Sequence, residues 1–222
     1  MRGYRERMLV CLASTSPARL MLLRQAGIEP LILAPHVDED AVIADVEAAQ
    51  GGPLGADAHV LLLARRKAAD VAARVAADQP AFDGIVIGGD SMFEIDGEIL
   101  GKPHTADVAT RRWRSMRGRT GVLHSGHSVI RVRPGAAPVA ADAVAAASVT
   151  FAADVTDAEI DAYVASGEPL HVAGAFTIDS LGGPFIERVA GDPSTVVGMS
   201  LSTVRQLAVQ LGVAWPDLWN RT

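Results

Sequence analysis

The sequence predicts a single α/β domain built on a mixed β-sheet, and three observations support this fold class. The 222 residues, 49% of them hydrophobic, suit one large domain that buries a sizeable core. Strand-like apolar runs alternate with helix-like spacing along the chain, without an internal repeat or a convincing linker. Hairpin signals interrupt strict strand–helix–strand alternation, so a purely doubly wound fold is the less favoured alternative.

The N-terminal part begins with a tail and then a strand–helix unit. Residues 1–7 are expected to form a flexible tail, and residues 8–222 are expected to form the domain. The apolar run at residues 8–13 is typical of a buried strand. A helix over residues 18–26 follows, because Ser16-Pro17 supplies an N-cap and a first helical position.

The central part predicts a long helix and a central strand. A short strand over residues 31–34 leads into an acidic loop at residues 36–40. Apolar residues at three-four spacing predict an amphipathic helix over residues 56–77. The run at residues 85–90 is almost continuously apolar and ends in two glycines and an aspartate. This pattern is typical of a central strand that delivers a carboxylate to the sheet edge.

Turn and capping signals organise the remaining chain. Asp96-Gly97 lies between strand-like segments and is a strong hairpin signal. Residues 156–159 form a capping box that opens a helix to about residue 165. The other predicted elements are a helix over 106–116, antiparallel strands over 122–132 and 144–151 around a loop at 134–143, a strand and turn over 174–183, a strand over 185–189, a loop at 191–194 and a helix over 201–211.

Charge and cysteine usage narrow the possible functions. The formal net charge of −6 argues against binding to nucleic acid polymers or membrane surfaces, but not against a small anion held by clustered cations. No stretch approaches the roughly 20 apolar residues of a membrane-spanning helix. The single cysteine, Cys11, excludes an intramolecular disulfide, and its apolar surroundings favour a small buried hydrophobe over a nucleophile. We therefore expect a cytoplasmic protein.

Hydroxyl groups and an arginine follow the first strand. Ser14, Thr15 and Ser16 precede the first helix, and Arg19 lies in its first turn. Free backbone N–H groups and the positive end of the helix dipole favour an anion at such a place. The alternative is simple capping by Ser16, with Arg19 exposed to solvent.

Four further residues are candidates for chemistry. Asp90 could hold a divalent metal or orient a water molecule, or it could simply form a turn. Lys102, fixed between a glycine and a proline, could meet a phosphate or be a solvated turn residue. Lys67 falls on the apolar stripe of the long helix, where it needs a partner unless it extends to solvent. Glu39 belongs to the acidic loop but can still reach a site.

Taken in order, these motifs resemble the Maf family of nucleotide pyrophosphatases over roughly residues 9–212. One such motif would be weak, but the ordered set is specific. The matching segments are Leu12-Ala13-Ser14-Thr15-Ser16-Pro17-Ala18-Arg19, Val37-Asp38-Glu39, residues 64–68, Gly89-Asp90-Ser91, Gly97-Glu98-Ile99-Leu100-Gly101-Lys102-Pro103, Gly118-Arg119-Thr120, Gly174-Ala175-Phe176, Phe185-Ile186-Glu187 and residues 191–198.

The resemblance implies an elongated mixed α/β fold, similar to the inosine-triphosphate pyrophosphatases, with two lobes and a central cleft. It implies hydrolysis of standard or modified nucleoside triphosphates to monophosphate and pyrophosphate, with Mg²⁺ or Mn²⁺. By position, Asp90 takes the role of the catalytic carboxylate and, with Glu39, of a metal ligand. The phosphate-binding residues are then Ser14, Ser16, Arg19, Lys67 and Lys102.

The chain departs from the family pattern at several positions. The family often has a second arginine where Ala18 stands, so one phosphate contact is missing or comes from Arg24 or Arg119. Asp179 replaces a common glutamine, and with Ser91 it is a candidate for base specificity. Because a carboxylate offers acceptors only, the choice between dTTP or UTP and 7-methyl-GTP or another modified base stays open.

Two further possibilities follow from the resemblance. A family-like homodimer is plausible, although no interface can be identified in the sequence. The alternative function is a nucleotide-sensing regulator of cell division that binds nucleotide without significant turnover.

Overall fold

The computed structural model describes residues 8–221, so the predicted tail at residues 1–7 lies outside the described residues. Within that part of the chain, the sheet contains β1 (Leu9–Ala13), β2 (Leu31–Ile32), β3 (Gly84–Ile95), β4 (Glu98–Leu100), β5 (Thr120–Val132), β6 (Val139–Phe151) and β7 (Ile186–Ala190). The helices are α1 (Pro17–Gln25), α2 (Glu39–Gln50), α3 (Ala56–Asp78), α4 (Ala106–Met116), α5 (Asp157–Ala165), α6 (Pro193–Val197) and α7 (Leu201–Gln210). Short 3₁₀ turns occupy Glu168–His171, Ala173–Ala175, Gly183–Phe185 and Trp215–Leu218.

The strands form one mixed sheet in the order β2-β1-β3-β5-β6-β7, and β4 pairs with β3 outside this path. The strand β1 runs parallel to both of its neighbours. The strands β3, β5, β6 and β7 pair antiparallel in succession. The predicted α/β fold with a mixed sheet is therefore confirmed.

The strand β3 is longer than the sequence predicts, and this corrects the position of Asp90. Its first half pairs with β1 up to Gly88, and its second half forms the predicted hairpin with β4. Pairing with β5 continues along both halves, and this pairing keeps the strand extended through Gly88 and Gly89. Asp90 thus lies in mid-strand, just beyond the end of β1, rather than at the end of β3.

Two glycines bring α3 unusually close to the sheet. A Cβ atom on Gly88 would lie 2.5 Å from the Ala64 carbonyl oxygen, and one on Gly126 would lie 2.2 Å from that of Val60. Any side chain at these positions would therefore push the helix away. Because these two glycines have no side chain, the buried side of α3, which carries Lys67, can pack on β3 and β5.

Hydrophobic clusters occupy both ends of the sheet. At one end, α4, α5 and the distal half of β3 enclose an aromatic cluster in which Trp113 contacts Phe151, Tyr163 and Phe185 edge-on. At the other end, α1, α7 and the paired parts of β1 and β3 enclose aliphatic side chains such as Leu12. The cleft described below lies between these two regions.

Several predicted elements need correction. The segment after Asp38 is the helix α2 rather than a continued loop, since Asp38 caps it by accepting from the Ala41 N–H. Residues 174–183 contain no strand, because 3₁₀ turns cover only Ala173–Ala175 and Gly183–Phe185 and an irregular loop joins them. The strand β6 begins at Val139, which shortens the predicted 134–143 loop, and the short helix α6 follows Asp192.

The prediction for Cys11 is confirmed. The residue is fully buried in β1, and burial raises the pKa of its thiol to about 11. A thiol with this pKa stays protonated at neutral pH and acts as a small apolar side chain. Separately, none of the helices within residues 8–221 combines the length and apolar character needed to cross a membrane.

Candidate active site

A cleft of about 650 Å³ opens beside the end of β1. Its walls come from the β1–α1 turn, α2, α3, β3 and the turns between α5 and β7. The nine residues that the sequence singled out for the site all line it, although they are spread over 166 positions of the chain. They are Ser14, Ser16, Arg19, Glu39, Lys67, Asp90, Ser91, Lys102 and Asp179.

Lys67 joins the two acidic candidates at the centre of this cleft. Its Nζ lies 2.8 Å from Asp90 Oδ1 and 2.8 Å from Glu39 Oε1. The lysine side chain is 8% exposed, that of Asp90 is 15% exposed and that of Glu39 is 47% exposed. The lysine therefore has the partners that its place on the apolar stripe requires, and the snorkelling alternative is wrong.

Arg19 is held in a fixed orientation beneath the β1–α1 turn. Its Nε donates to the Gly198 carbonyl at 2.9 Å, Nη2 donates to Ser91 Oγ at 3.1 Å, and Nη1 donates to Ser14 Oγ at 3.3 Å. Burial lowers the pKa of Arg19, whereas the charges of Asp90 and Glu39 raise it. The group stays charged at neutral pH because guanidinium does not lose its proton in proteins.

The turn between β1 and α1 uses its hydroxyl groups in different ways. Ser16 is the N-cap of α1 and accepts from the Arg19 N–H at 3.4 Å, as the capping interpretation predicts. Ser14 is buried, and its Oγ accepts from the Ser16 N–H at 3.1 Å. Because residues 14–19 also line the cleft, capping and an anion site are compatible at this turn.

Lysine is rare in this protein and concentrated at this cleft. Only two of the 20 basic residues are lysines, and both Lys67 and Lys102 line it. Lys102 is exposed and is followed by the buried Pro103, which anchors the chain at that point. An ammonium group acts as a compact point charge, so the cleft offers two of them beside the guanidinium of Arg19.

The cleft contains a small set of ligands for a divalent cation. Within the part of the chain that the structure describes, no cluster of three or more His, Cys, Asp or Glu residues could hold a metal ion. Mg²⁺ commonly takes only one or two protein carboxylates and completes its shell with water and substrate phosphates. Asp90 and Glu39 fit that pattern, but the ammonium of Lys67 now lies between them.

A buried polar chain behind the site was not identified from the sequence. Ser91 Oγ lies 3.0 Å from Ser125 Oγ, which in turn lies 3.4 Å from His127 Nε2. His127 Nε2 also accepts from the Ser200 N–H at 2.9 Å, so its ring is neutral. Burial and then the charge of Arg19 lower the pKa of His127 to about 4. The signal was available, because Ser125 and His127 are two apart in a strand and share a face.

The cleft is also lined by apolar side chains. Leu123, Phe176 and Ile178 line it, and the exposed Asp179 follows Ile178. Ser91, the other candidate for base specificity, instead bonds to Arg19. The cleft therefore combines cationic side chains with apolar ones and an exposed carboxylate.

Neither substitute for the missing family arginine reaches this site. Arg24 forms an exposed ion pair with Glu29, with Nη2 and Oε1 2.7 Å apart. Arg119 pairs with Asp96 at the hairpin between β3 and β4. Neither residue lines the cleft, which leaves the other alternative, that this phosphate contact is missing.

Comparison with known proteins adds independent information. The family model described as "Maf-like protein" matches residues 9–211. A "Nucleoside triphosphate pyrophosphatase" from Leifsonia xyli subsp. xyli is 63% identical over 214 residues, which cover 96% of this chain and 98% of that protein. One of the same name from Rhodococcus jostii is 51% identical over 212 residues, or 94% of each chain.

The structural comparison is weaker. The solved structure titled "The structure of the Staphylococcus aureus Ham1 protein" matches with a TM-score of 0.31 and 11% identity, over 65% of this chain and 72% of that one. A likeness at this level supports no conclusion about function. The family match and the close relatives, by contrast, extend over almost the whole sequence, and this chain belongs to the Maf family.

Proposed function

We propose that this protein hydrolyses nucleoside triphosphates to nucleoside monophosphates and pyrophosphate. The observation that carries the proposal is the contact of Lys67 with Asp90 and Glu39, in one cleft with Arg19 and Lys102. A triphosphate needs several cations, and hydrolysis needs a carboxylate beside them. The names of the close relatives support the same reaction.

The residues divide the chemistry between them. A water molecule attacks the α-phosphorus, and Asp90 orients it and accepts its proton. The bond from the α-phosphorus to the bridging oxygen breaks, and pyrophosphate leaves with the electron pair. Arg19, Lys67 and Lys102 neutralise the charge that develops on the leaving group, while the β1–α1 turn holds phosphate oxygens.

A divalent metal ion, Mg²⁺ or Mn²⁺, is part of this proposal. When bound, it supplies positive charge that polarises phosphate oxygens and lowers the pKa of a bound water molecule. Asp90 and Glu39 would hold it. Because Lys67 lies between these carboxylates, its ammonium has to move aside, and the incoming phosphate is the natural new partner.

The apolar side chains of the cleft suit the nucleobase. Leu123, Phe176 and Ile178 can contact its faces, and the Asp179 carboxylate accepts hydrogen bonds at its edge. A base edge with N–H donors is complementary to this group. A uracil or thymine edge, with one N–H between two carbonyl oxygens, is less so.

The setting of the reaction is part of the proposal as well. We place the enzyme in the cytoplasm, where nucleoside triphosphates are made and used. The family resemblance also favours a homodimer, which size-exclusion chromatography with light scattering would test.

The experiment is pyrophosphate release from a panel of standard and modified nucleoside triphosphates, with Mg²⁺ or Mn²⁺. The wild type should release pyrophosphate from at least one of them. Asp90→Ala should lose about 10²–10⁴-fold of that rate while remaining folded. Asp157→Asn, a change at an exposed site on α5, serves as the control. Tight binding without any product would favour the nucleotide-sensing alternative, and a fully active Asp90→Ala variant would contradict the role of Asp90.

A further inference from the structure

A carboxylate outside the cleft organises the loop that carries Asp179. Glu168 lies in the 3₁₀ turn after α5 and receives five hydrogen bonds. Its Oε1 accepts from Tyr163 Oη at 3.0 Å, from Thr177 Oγ1 and from the Gly182 N–H at 3.2 Å. Its Oε2 accepts from Ser180 Oγ at 2.6 Å and from the Leu181 N–H at 3.3 Å. Four of these donors belong to residues 177–182.

The surroundings of Glu168 keep it charged. Burial alone would raise its pKa, but the hydrogen bonds from Ser180, Thr177 and Tyr163 outweigh burial, so the pKa lies below its ordinary value. Tyr163 is itself buried, and its hydroxyl accepts from the Thr177 N–H at 3.2 Å. The loop is thus joined to α5 through Tyr163 and to the following 3₁₀ turn through Glu168.

The loop fits tightly around this carboxylate. A Cβ atom on Gly182 would lie 2.6 Å from Tyr163 Oη and 2.6 Å from the Thr177 carbonyl oxygen. The position therefore has no room for a side chain. A loop this closely packed has one arrangement relative to α5 rather than several.

Glu168 itself does not line the cleft, whereas Thr177, Ile178 and Asp179 do. Any influence of Glu168 on substrate therefore passes through the loop. The side chain of Asp179 is exposed, so the backbone on either side decides where its carboxylate lies. Glu168 holds both flanks of that residue, at Thr177 and at Ser180.

We propose that Glu168 is a positioning residue for base selection, which fixes the 177–182 loop so that Asp179 meets the edge of the nucleobase. This inference rests on the proposed function. In this proposal, the cations and Asp90 bind and hydrolyse the triphosphate, whereas the 177–182 loop selects the base.

The substitution Glu168→Gln tests the proposal with little change in shape. An amide has one acceptor oxygen, so its NH₂ group must replace either Oε1 or Oε2. In one orientation it faces the Gly182 N–H, and in the other it faces the Leu181 N–H. A hydroxyl can turn its proton away, but a backbone N–H cannot. One N–H therefore loses its bond to residue 168 in either orientation, the Gly182 N–H keeping only its longer bond of 3.4 Å to Thr177 Oγ1, and the loop shifts.

The assay compares kcat/KM across triphosphates that differ only in the base. It also measures inhibition by inorganic tripolyphosphate, which has no base. Glu168→Gln should reduce the ratio between the best and the worst substrate by at least about tenfold, mainly through KM. The tripolyphosphate inhibition constant should stay within about twofold of the wild-type value, since Arg19 and both lysines are untouched.

Two further variants provide a second test and a control. Ser180→Ala removes one donor at an exposed position, preserves the fold and should lower the same ratio about threefold. The Ser180→Ala variant tests the proposal if the Glu168→Gln variant fails to fold. Glu159→Gln is the matched control, because Glu159 accepts hydrogen bonds from Thr156 at the start of α5, away from this loop. It should leave the ratio unchanged.

Several results would overturn the inference. They are a wild-type enzyme that does not discriminate between bases, an unchanged ratio in both loop variants, or an equal loss for every substrate and for tripolyphosphate. A wild type that releases no pyrophosphate from any triphosphate would instead refute the proposed function. The same comparison is then made with nucleotide dissociation constants, where a loss of base ranking confined to the loop variants supports Glu168 and an unchanged ranking refutes it.

Discussion

Replacing Lys67 with methionine isolates the charge at the centre of the cleft. Methionine has a similar length and helix propensity, so α3 and its contact with the sheet should be retained. The change removes two contacts of 2.8 Å, one to Asp90 and one to Glu39. It leaves two carboxylates without the ammonium between them, although Arg19 remains nearby.

The expected cost follows from the exposure of these groups. Breaking a fully buried ion pair costs about 3–5 kcal/mol, but Glu39 is 47% exposed and Asp90 is 15% exposed, so water compensates much of it. We expect the free energy of unfolding to fall by about 1–2 kcal/mol, or about 2–8 °C in Tm. The loss in kcat/KM should be larger, about 10²–10³-fold, because in the proposed mechanism Lys67 also neutralises charge on the leaving group.

Chemical denaturation and pyrophosphate release measure these two effects separately. In the double variant with Asp90→Asn, the neutral amide no longer needs the ammonium, so the two stability losses should fall short of additivity by about 1–2 kcal/mol. Arg66→Met, at an exposed position next along α3, is the control and should change stability by less than about 0.5 kcal/mol. Wild-type stability and activity in Lys67→Met, or full additivity in the double variant, would refute the reasoning.

Further predictions concern the second lysine, the metal ion and the buried histidine. Lys102→Ala should lower kcat/KM for triphosphates without changing Tm, because this lysine is exposed; unchanged kinetics would make it an ordinary surface residue. Chelation with EDTA should stop pyrophosphate release and added Mg²⁺ should restore it, whereas full activity in EDTA would exclude a metal requirement. His127 has a pKa of about 4 when folded and an ordinary value of 6.5, so between these values only the unfolded chain binds the proton. The free energy of unfolding should therefore fall by about 3 kcal/mol from pH 6.5 to pH 4, and denaturation of His127→Gln should show a flatter profile. An identical profile in that variant would contradict this assignment.

The parts of the fold that sequence predicts well are those with local signals. The helix α4 has a capping threonine and an apolar side, and its observed bounds equal the predicted ones. The hairpin at Asp96-Gly97 and the capping box of α5 are likewise encoded within a few residues. Signals within a few residues are enough to predict an element when both of its ends carry a capping or turn signal.

The errors arise where distant residues decide the structure. The helix α2 has no buried residue, and its larger apolar side chains span only residues 42–46, so its pattern is much shorter than the one that reveals α3. Gly88 and Gly89 look like the end of a strand, yet continuous pairing with β5 keeps them extended. The 177–182 loop takes its shape from Glu168, at least nine positions away, and no local pattern records that contact.

The candidate site likewise combines features that the sequence predicts with features that depend on distant residues. Its residues could be singled out because the motifs resemble a known family. That Lys67 lies between Asp90 and Glu39 could not be predicted, since it depends on how closely α3 approaches the sheet over Gly88 and Gly126. The bond from the Ser200 N–H to His127 likewise depends on the packing of α7 against β5.

The most direct test of the central claim is hydrolysis of a good triphosphate substrate in ¹⁸O-labelled water, with mass spectrometry of both products. Attack at the α-phosphorus by a water molecule that Asp90 activates places one labelled oxygen in the nucleoside monophosphate and none in the pyrophosphate. Label in the pyrophosphate, or release of inorganic phosphate and nucleoside diphosphate instead, would contradict the account.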